Sequence, residues 1–300
     1  MGYVKNLKLM ALVSGGVLLA GLIFSIIFGG LNMGIDFTGG TIMTLDMKGE
    51  FDLRVITEAL SENNITGAQA VRTGVSSSMQ TQADIRMQTT GNGSEEADLR
   101  QSLLESIRRT YPTAEIIAVD SVDGIASIDL IRNALLSVAI ASALMLVYIW
   151  FRFELLFGVA AVVALLHDVM IMLAFTSILR VPINSPFIAA VLTIIGYSIN
   201  NTIVVFDRIR EYGKSDANMA KHRAEIVDKS IKSTLGRSIN TTLTTLLTIS
   251  MVYLFGVESI REFALPIIIG LLAGAYSSIF LAGPMWASWH KKLQTAKNRG

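Results

Sequence analysis

The 300-residue sequence contains no cysteine. That excludes disulfides and thiol chemistry and removes the usual sulfur ligands of a metal site, though it leaves the compartment open. Charge is also scarce: Asp, Glu, Lys and Arg make up 16% of residues, against about 25% in an ordinary soluble protein. The two signs nearly cancel, giving a net charge of +1, so neither sign points to nucleic acid or to an acidic partner. No histidine cluster, nucleophile triad or phosphate-binding loop occurs in 35–125, which argues against catalysis there. No cofactor or metal is expected.

What fills the gap is apolar. Hydrophobic residues reach 52%, and they are gathered into six segments long enough to cross roughly 30 Å of hydrocarbon. These lie at about 9–29, 129–151, 155–178, 187–206, 238–256 and 264–288. The first follows Lys5 and Lys8, is longer than the apolar core of a signal peptide and lacks an A-x-A-like cleavage site, so an uncleaved signal anchor is expected. The linker 207–237 carries Arg208, Arg210, Lys214, Lys221, Arg223, Lys229, Lys232 and Arg237, and the tail adds Lys291, Lys292, Lys297 and Arg299. The opposite short loops hold only Arg180 and Arg261. Excess positive charge marks the cytoplasmic side, so both termini and the linker are expected there and 31–128 outside. The organisation expected is a tail and first span in 1–30, an external domain in 31–128, a bundle in 129–288 interrupted by the linker, and a cytoplasmic tail in 289–300.

The external segment predicts an α+β fold. Thr41 to Met47 alternates, with Met43, Leu45 and Met47 on one face. Residues 52–61 suit a helix, Ala68 to Thr73 a strand, and Met79 to Thr89 alternates again. Ser94 can cap a helix that buries Leu99, Leu103 and Ile107, and Ala114 to Val119 supplies a last strand. The order β-α-β-β-α-β is the ferredoxin-like pattern. Ahead of it, Gly34-Ile35-Asp36-Phe37-Thr38-Gly39-Gly40 suits a sharp exit from the membrane, where glycine permits positive φ.

Polar residues inside the spans carry the functional signal. Lipid offers no hydrogen bonds, so such groups must find partners within a bundle or face water. The fourth span contains Gly196, Ser198, Asn200, Asn201 and Thr202, then leaves the membrane at Asp207. On the fifth, Arg237, Asn240, Thr241, Thr244, Thr245 and Thr248 form one helical stripe expected to face other helices, either as interhelical adhesive or as a transport pathway. Gly270, Gly274 and Ser278 recur at four-residue intervals in the sixth, which suits close packing. His167-Asp168 lies well inside the third, where an ionised aspartate costs about 2.5–3.5 kcal/mol on insertion scales. Asp207 and Arg237 are expected near the cytoplasmic boundary, as a solvated pair or as separate charges. The linker carries an amphipathic stretch, with Ala224, Val227, Ile231 and Leu235 on one face, that suits a helix lying on the membrane surface.

Taken together, Gly34 to Gly40, Leu166-His167-Asp168-Val169, Gly196-Tyr197-Ser198-Ile199-Asn200, Val204 to Glu211 and the Arg237-headed fifth span resemble the smaller-subunit branch of the SecD/SecF family of protein-export membrane proteins, within the RND superfamily. The resemblance covers nearly the whole chain. It implies a six-helix half-transporter with one external ferredoxin-like domain, pairing with SecD beside the SecYEG channel, in company with YajC and YidC. The pair would use an ion gradient to promote passage of a preprotein, with membrane lipid as surroundings and no nucleic acid. It further implies Asp168, His167, Asn200, Asn201, Thr202, Asp207, Arg237, Asn240, Thr241 and Thr244 as ion-coupling or polar-seam candidates, and Gly34, Asp36, Phe37, Gly39, Gly40, Gly196, Gly270 and Gly274 as structural ones. One departure matters: the family commonly has aspartate after Ser-Ile-Asn, and here that position is Asn201, an amide that neither binds nor releases a proton near neutral pH. The contrasting classes are an RND-type half-transporter for lipid or small molecules and a scaffold for the channel.

Overall fold

A computed structural model describes residues 2–65, 68–73, 81–87, 93–122, 124–215, 219–256 and 258–297. The chain falls into two compact units, one built from Met1–Asn32, Leu136–Leu254 and Glu262–Gly300, the other from Met33–Leu135 with Phe255–Arg261.

In the first unit α1 (Leu7–Ile27) is followed, beyond the second unit's elements, by long apolar helices. The second unit opens with a single turn, α2 (Ile35–Thr38), whose amides at Phe37 and Thr38 return to the Gly34 carbonyl. Gly39 (φ 72°) and Gly40 (φ 146°) then reverse the chain into β1 (Gly40–Asp46), a conformation that side-chain-bearing residues rarely adopt. After it come α3 (Leu53–Glu62), β2 (Gln69–Thr73), β3 (Gln82–Met87), α4 (Gly93–Arg108) and β4 (Glu115–Val122). Asp52 caps α3 by accepting a hydrogen bond from the Arg54 amide at 3.0 Å. The capping expected of Ser94 concerns a side chain outside the described residues; the helix begins at Gly93.

The sheet is antiparallel throughout, ordered β2-β3-β1-β4, as the predicted element order requires. Pairing of Met43 with Ile85 and of Leu45 with Ala83 puts the alternating apolar residues on one face. That face is closed by Ile56 and Leu60 of α3 and Leu103 and Ile107 of α4. At the far end of β1, Lys48 joins Asp46 and Glu115. The Lys48 amide and ammonium hold the half-buried Asp46 carboxyl below its usual range, and the two carboxylates raise Lys48.

The remaining helices are α5 (Gly124–Arg152), α6 (Leu155–Leu179), α7 (Ser185–Ser215), α8 (Met219–Phe255) and α9 (Glu258–Ser277). A π-helical segment, Ser278–Ala282, joins α9 to α10 (Gly283–Lys297). Among the described residues six stretches are long and apolar enough to cross a membrane, the sixth being Ile260–His290. Half of the apolar window is buried in α6 and in α7, and 67% in the sixth stretch, but only 6% in α5 and 11% in α1 and in α8. The core of this unit is therefore α6, α7 and α9–α10, and α5 and α8 present nearly bare flanks.

The linker is largely helical, and the surface-lying helix expected within it is corrected. The fourth helix continues past the charged run to Ser215, and the amphipathic stretch belongs to α8, interrupted only by a non-helical residue at His222. Its apolar face packs against protein rather than lipid: Val227 and Ile231 are fully buried, beside Ile209 and Gly283.

Candidate functional site

Asp168 lies 13 residues into α6, about 20 Å from its start and near mid-span. It is fully buried and gathers donors from three elements. Ser198 of α7 donates to Oδ2 at 2.5 Å, Ser277 at the end of α9 donates to the same oxygen at 2.8 Å, and His167 Nδ1 sits 2.9 Å from Oδ1. With its proton on Nδ1, His167 is the third donor.

Local sequence explains how these groups meet. Gly274, one turn before Ser278, lets α9 close on α7: a Cβ there would stand 3.1 Å from Ser198 Cβ and 3.3 Å from its Cα. A Cβ at Gly270 would stand 2.5 Å from Ile194 and 2.8 Å from Met172 Sδ. The periodicity pointed to Ser278 as the next member of that row. It is Ser277 that reaches the carboxylate, at the point where α9 passes into the wider π turn; Ser278 bonds back to the Ala275 carbonyl. π turns of this kind are frequent at functional sites. Ser277 and the π segment are the parts that sequence periodicity missed, and the adjacent serines after the glycine row were the available signal.

His167 is oriented from behind. Its ring packs on Tyr276 at 6.0 Å and 24°, and the Tyr276 hydroxyl donates to the Met10 carbonyl at 2.8 Å. Its Nε2 is buried without a hydrogen-bond partner among the described residues, as are the hydroxyls of Ser14 and Ser177.

A second polar group joins α7 to α8. Asn201 is buried and its Nδ2 stands 3.5 Å from Thr242 Oγ1, a long contact. Thr202, one turn below Ser198, donates to the Ser198 carbonyl at 3.0 Å. Tyr197 OH donates to the Thr241 carbonyl at 3.0 Å and meets Thr245 Oγ1. Beyond Ile231 the buried face of α8 continues through Thr234, Ser238 and Thr242.

The stripe headed by Arg237 thus points the other way from the chain's own bundle. Arg237, Asn240, Thr244 and Thr248 are exposed and Thr241 is half-buried, because the α8 residues one position further along the helix take the contact with α7. Thr241, Thr244, Thr245 and Thr248 bond back to carbonyls three or four residues earlier, which satisfies the hydroxyls of Thr244 and Thr248 without a neighbour, while Thr245 also meets Tyr197 at the edge of the stripe. Asp207 pairs with Arg152 at 3.0 Å and not with Arg237, and Asn201 meets neither Arg237 nor Asn240. Asn200 is exposed and Gly196 half-buried. Gly34, Asp36, Phe37, Gly39 and Gly40 form the turn into β1, with Ile35 and Phe37 buried.

Comparison with known proteins gives the following likenesses. A family profile described as "Protein export membrane protein SecD/SecF, C-terminal" matches residues 102–292, and one described as "SecD/SecF GG Motif" matches 24–49. The protein translocase subunit SecF of Sebaldella termitidis is 36% identical over 263 residues, covering 88% of this chain and 83% of that one. The protein translocase subunit SecDF of Thermus thermophilus is 37% identical over 285 residues, covering 93% of this chain and 38% of the relative. The crystal structure of SecDF from that organism superposes with a TM-score of 0.78 at 33% identity, covering 97% of this chain and 38% of the solved one.

Proposed function

The chain belongs to the SecD/SecF protein-export family as a SecF-type translocase subunit, a multi-pass transport component and not an enzyme, and on that premise we propose that it pairs with a SecD chain and couples an ion gradient to preprotein translocation through Asp168. The observation that carries the coupling is a carboxylate sealed at mid-span among Ser198, Ser277 and His167. A charge there is costly to insert, and an ionisable group inside the membrane is a functional-site candidate by default. Asn201 cannot titrate, so within this chain the coupling role falls on Asp168 and its histidine, with the SecD partner supplying any further carboxylate. The His167 side chain is 11% exposed, and its buried Nε2, without a hydrogen-bond partner among the described residues, is the position at which a proton or water would meet the pair.

Pairing is supported by the bare flanks of α5 and α8. Thr244 and Thr248 are satisfied alone, but Asn240, just inside the span, is costly against lipid, and Arg237 stands exposed at the cytoplasmic end of the same stripe. A SecD helix bundle laid over that stripe would cover them. We place both termini and 207–237 in the cytoplasm, with 31–128 outside, from the distribution of Lys and Arg. In this arrangement the SecYEG channel, with YajC and YidC, stands beside the pair, and the α+β unit handles the emerging preprotein. The cysteine-free chain allows a direct test of pairing: Thr244→Cys is the sole thiol in the protein. Labelled with a thiol-reactive photo-cross-linker such as benzophenone maleimide, it should cross-link on illumination to a co-expressed SecD-like chain, and the tagged protein should copurify with that chain in mild detergent. Isolation as a monomer with full export-supporting activity would remove the proposal.

A further inference from the structure

At the end of the bundle where α5 turns into α6, a cleft of about 400 Å³ is lined by Phe151, Arg152, Phe153, Glu154, Arg210 and Lys214. This is a size common for small-ligand clefts. We propose that it is a binding site for the phosphodiester head group of an anionic phospholipid.

Charge comes first. Three cations and one carboxylate line the cleft, and Asp207 takes the Arg152 guanidinium at 3.0 Å, leaving a surplus of one positive charge. A phosphodiester carries one negative charge. Arg152 is held on two sides, by Asp207 and by the Phe153 ring 5.3 Å from its Cζ, and its carbonyl accepts from Arg210 Nη1 at 3.0 Å. That bond anchors Arg210 at one nitrogen and leaves its other donors to turn inward. Lys214, one turn further along α7, is exposed. Arginine can grip two phosphate oxygens at once and lysine adds a point charge beside it. The α6 helix begins at Leu155 with no side-chain cap on its first amides, which adds a positive helix end to the same wall.

Position argues for lipid as the source of that phosphate. The two-residue turn Phe153-Glu154 connects two membrane-spanning stretches, so the cleft lies at the level of the head groups. Beside it, Trp150, Phe151 and Leu155 are 63%, 83% and 66% exposed, an aromatic and apolar wall on which acyl chains can lie. A soluble anion would make no use of that wall. The floor is firm: Phe157 is stacked on Trp286 at 4.3 Å and packs on Phe206 at 4.7 Å. Basic pockets between membrane helices are a known chemistry for anionic head groups.

The test is lipid titration of the full-length protein in detergent, followed by native mass spectrometry, with palmitoyl-oleoyl phosphatidylglycerol and phosphatidylcholine as probes. Arg210→Gln with Lys214→Gln should weaken phosphatidylglycerol binding about 25-fold, taking about fivefold for each cation near a membrane surface. Lys5→Gln with Lys8→Gln removes the same charge at another exposed boundary site and should leave binding within about twofold. An unchanged thermal midpoint in both double variants confirms that the fold is intact. Equal losses in the two double variants, equal binding of phosphatidylcholine, or displacement of the lipid by millimolar inorganic phosphate would each overturn the proposal. The last result would assign the cleft to a soluble anion.

Discussion

Substituting Gly274 by alanine probes the geometry that delivers a hydroxyl to Asp168. A Cβ at 274 would lie 3.1 Å from Ser198 Cβ, 3.3 Å from its Cα and 3.3 Å from its Oγ. Two of these three atoms belong to a side chain held on Asp168 at 2.5 Å, and the third is helix backbone, so α9 and α7 must part by a few tenths of an ångström. Overpacking of this kind costs about 1–3 kcal/mol. Alanine recovers up to about 1 kcal/mol through its better helix propensity, which leaves a net destabilisation of about 1 kcal/mol. The reciprocal change, Ser198→Gly, removes the clashing Cβ and Oγ together with a hydrogen bond to a carboxylate worth about 1.5–3 kcal/mol.

The double variant separates packing from hydrogen bonding. With both substitutions only the Cα of residue 198 remains of the three nearest atoms, so the clash of the added methyl group should be largely relieved. Reversible unfolding in mixed detergent micelles should give a favourable coupling of about 1 kcal/mol, beyond the 0.3–0.5 kcal/mol scatter of independent sites. Ion-gradient-dependent preprotein translocation should fall in Gly274→Ala and stay low in the double variant, because the Asp168 donor is still missing. Additive free energies, together with wild-type translocation in Gly274→Ala, would refute the reasoning.

Asn201→Leu should cost no more than about 0.5–1 kcal/mol in the isolated chain, because the contact it removes is a 3.5 Å hydrogen bond; thermal unfolding of the purified chain checks this. Arg237→Leu should leave that stability unchanged, since the side chain is exposed, and should reduce recovery of the SecD-like partner in pull-down. For topology, Ser61→Cys and Ser215→Cys each place a single exposed thiol in the cysteine-free chain. A membrane-impermeant maleimide should label the first only from outside intact cells and the second only after lysis.

The spans were legible because length and hydropathy suffice to define them, and the α+β unit because period-two alternation survives in β1 and β3, where Met43, Leu45, Ala83 and Ile85 all turn inward. His167 and Asp168 stood out because ionisable groups are rare in apolar runs. The face of α8 was not legible. Its exposed and buried stripes both carry threonine and serine, and polarity alone cannot tell a contact with α7 from one with a neighbouring chain. Ser277 was missed for a related reason: periodicity assumes an unbroken α-helix, and the π turn at Ser278 ends that register. The Asp207–Arg152 pair was out of reach because it depends on how α5 turns into α6 against the extended end of α7.

The most direct test of ion coupling through Asp168 is proton-gradient-driven preprotein translocation in inverted vesicles carrying Asp168→Asn. Asparagine keeps an oxygen to accept from Ser198 and Ser277, and its amide can donate to His167 Nδ1 once the imidazole carries its proton on Nε2, so the bundle should fold and copurify as before while losing the carboxylate. The expected result is a normal thermal midpoint with loss of the gradient-dependent fraction of translocation. Full gradient stimulation in this variant would contradict the account and leave Asp168 as a packing residue.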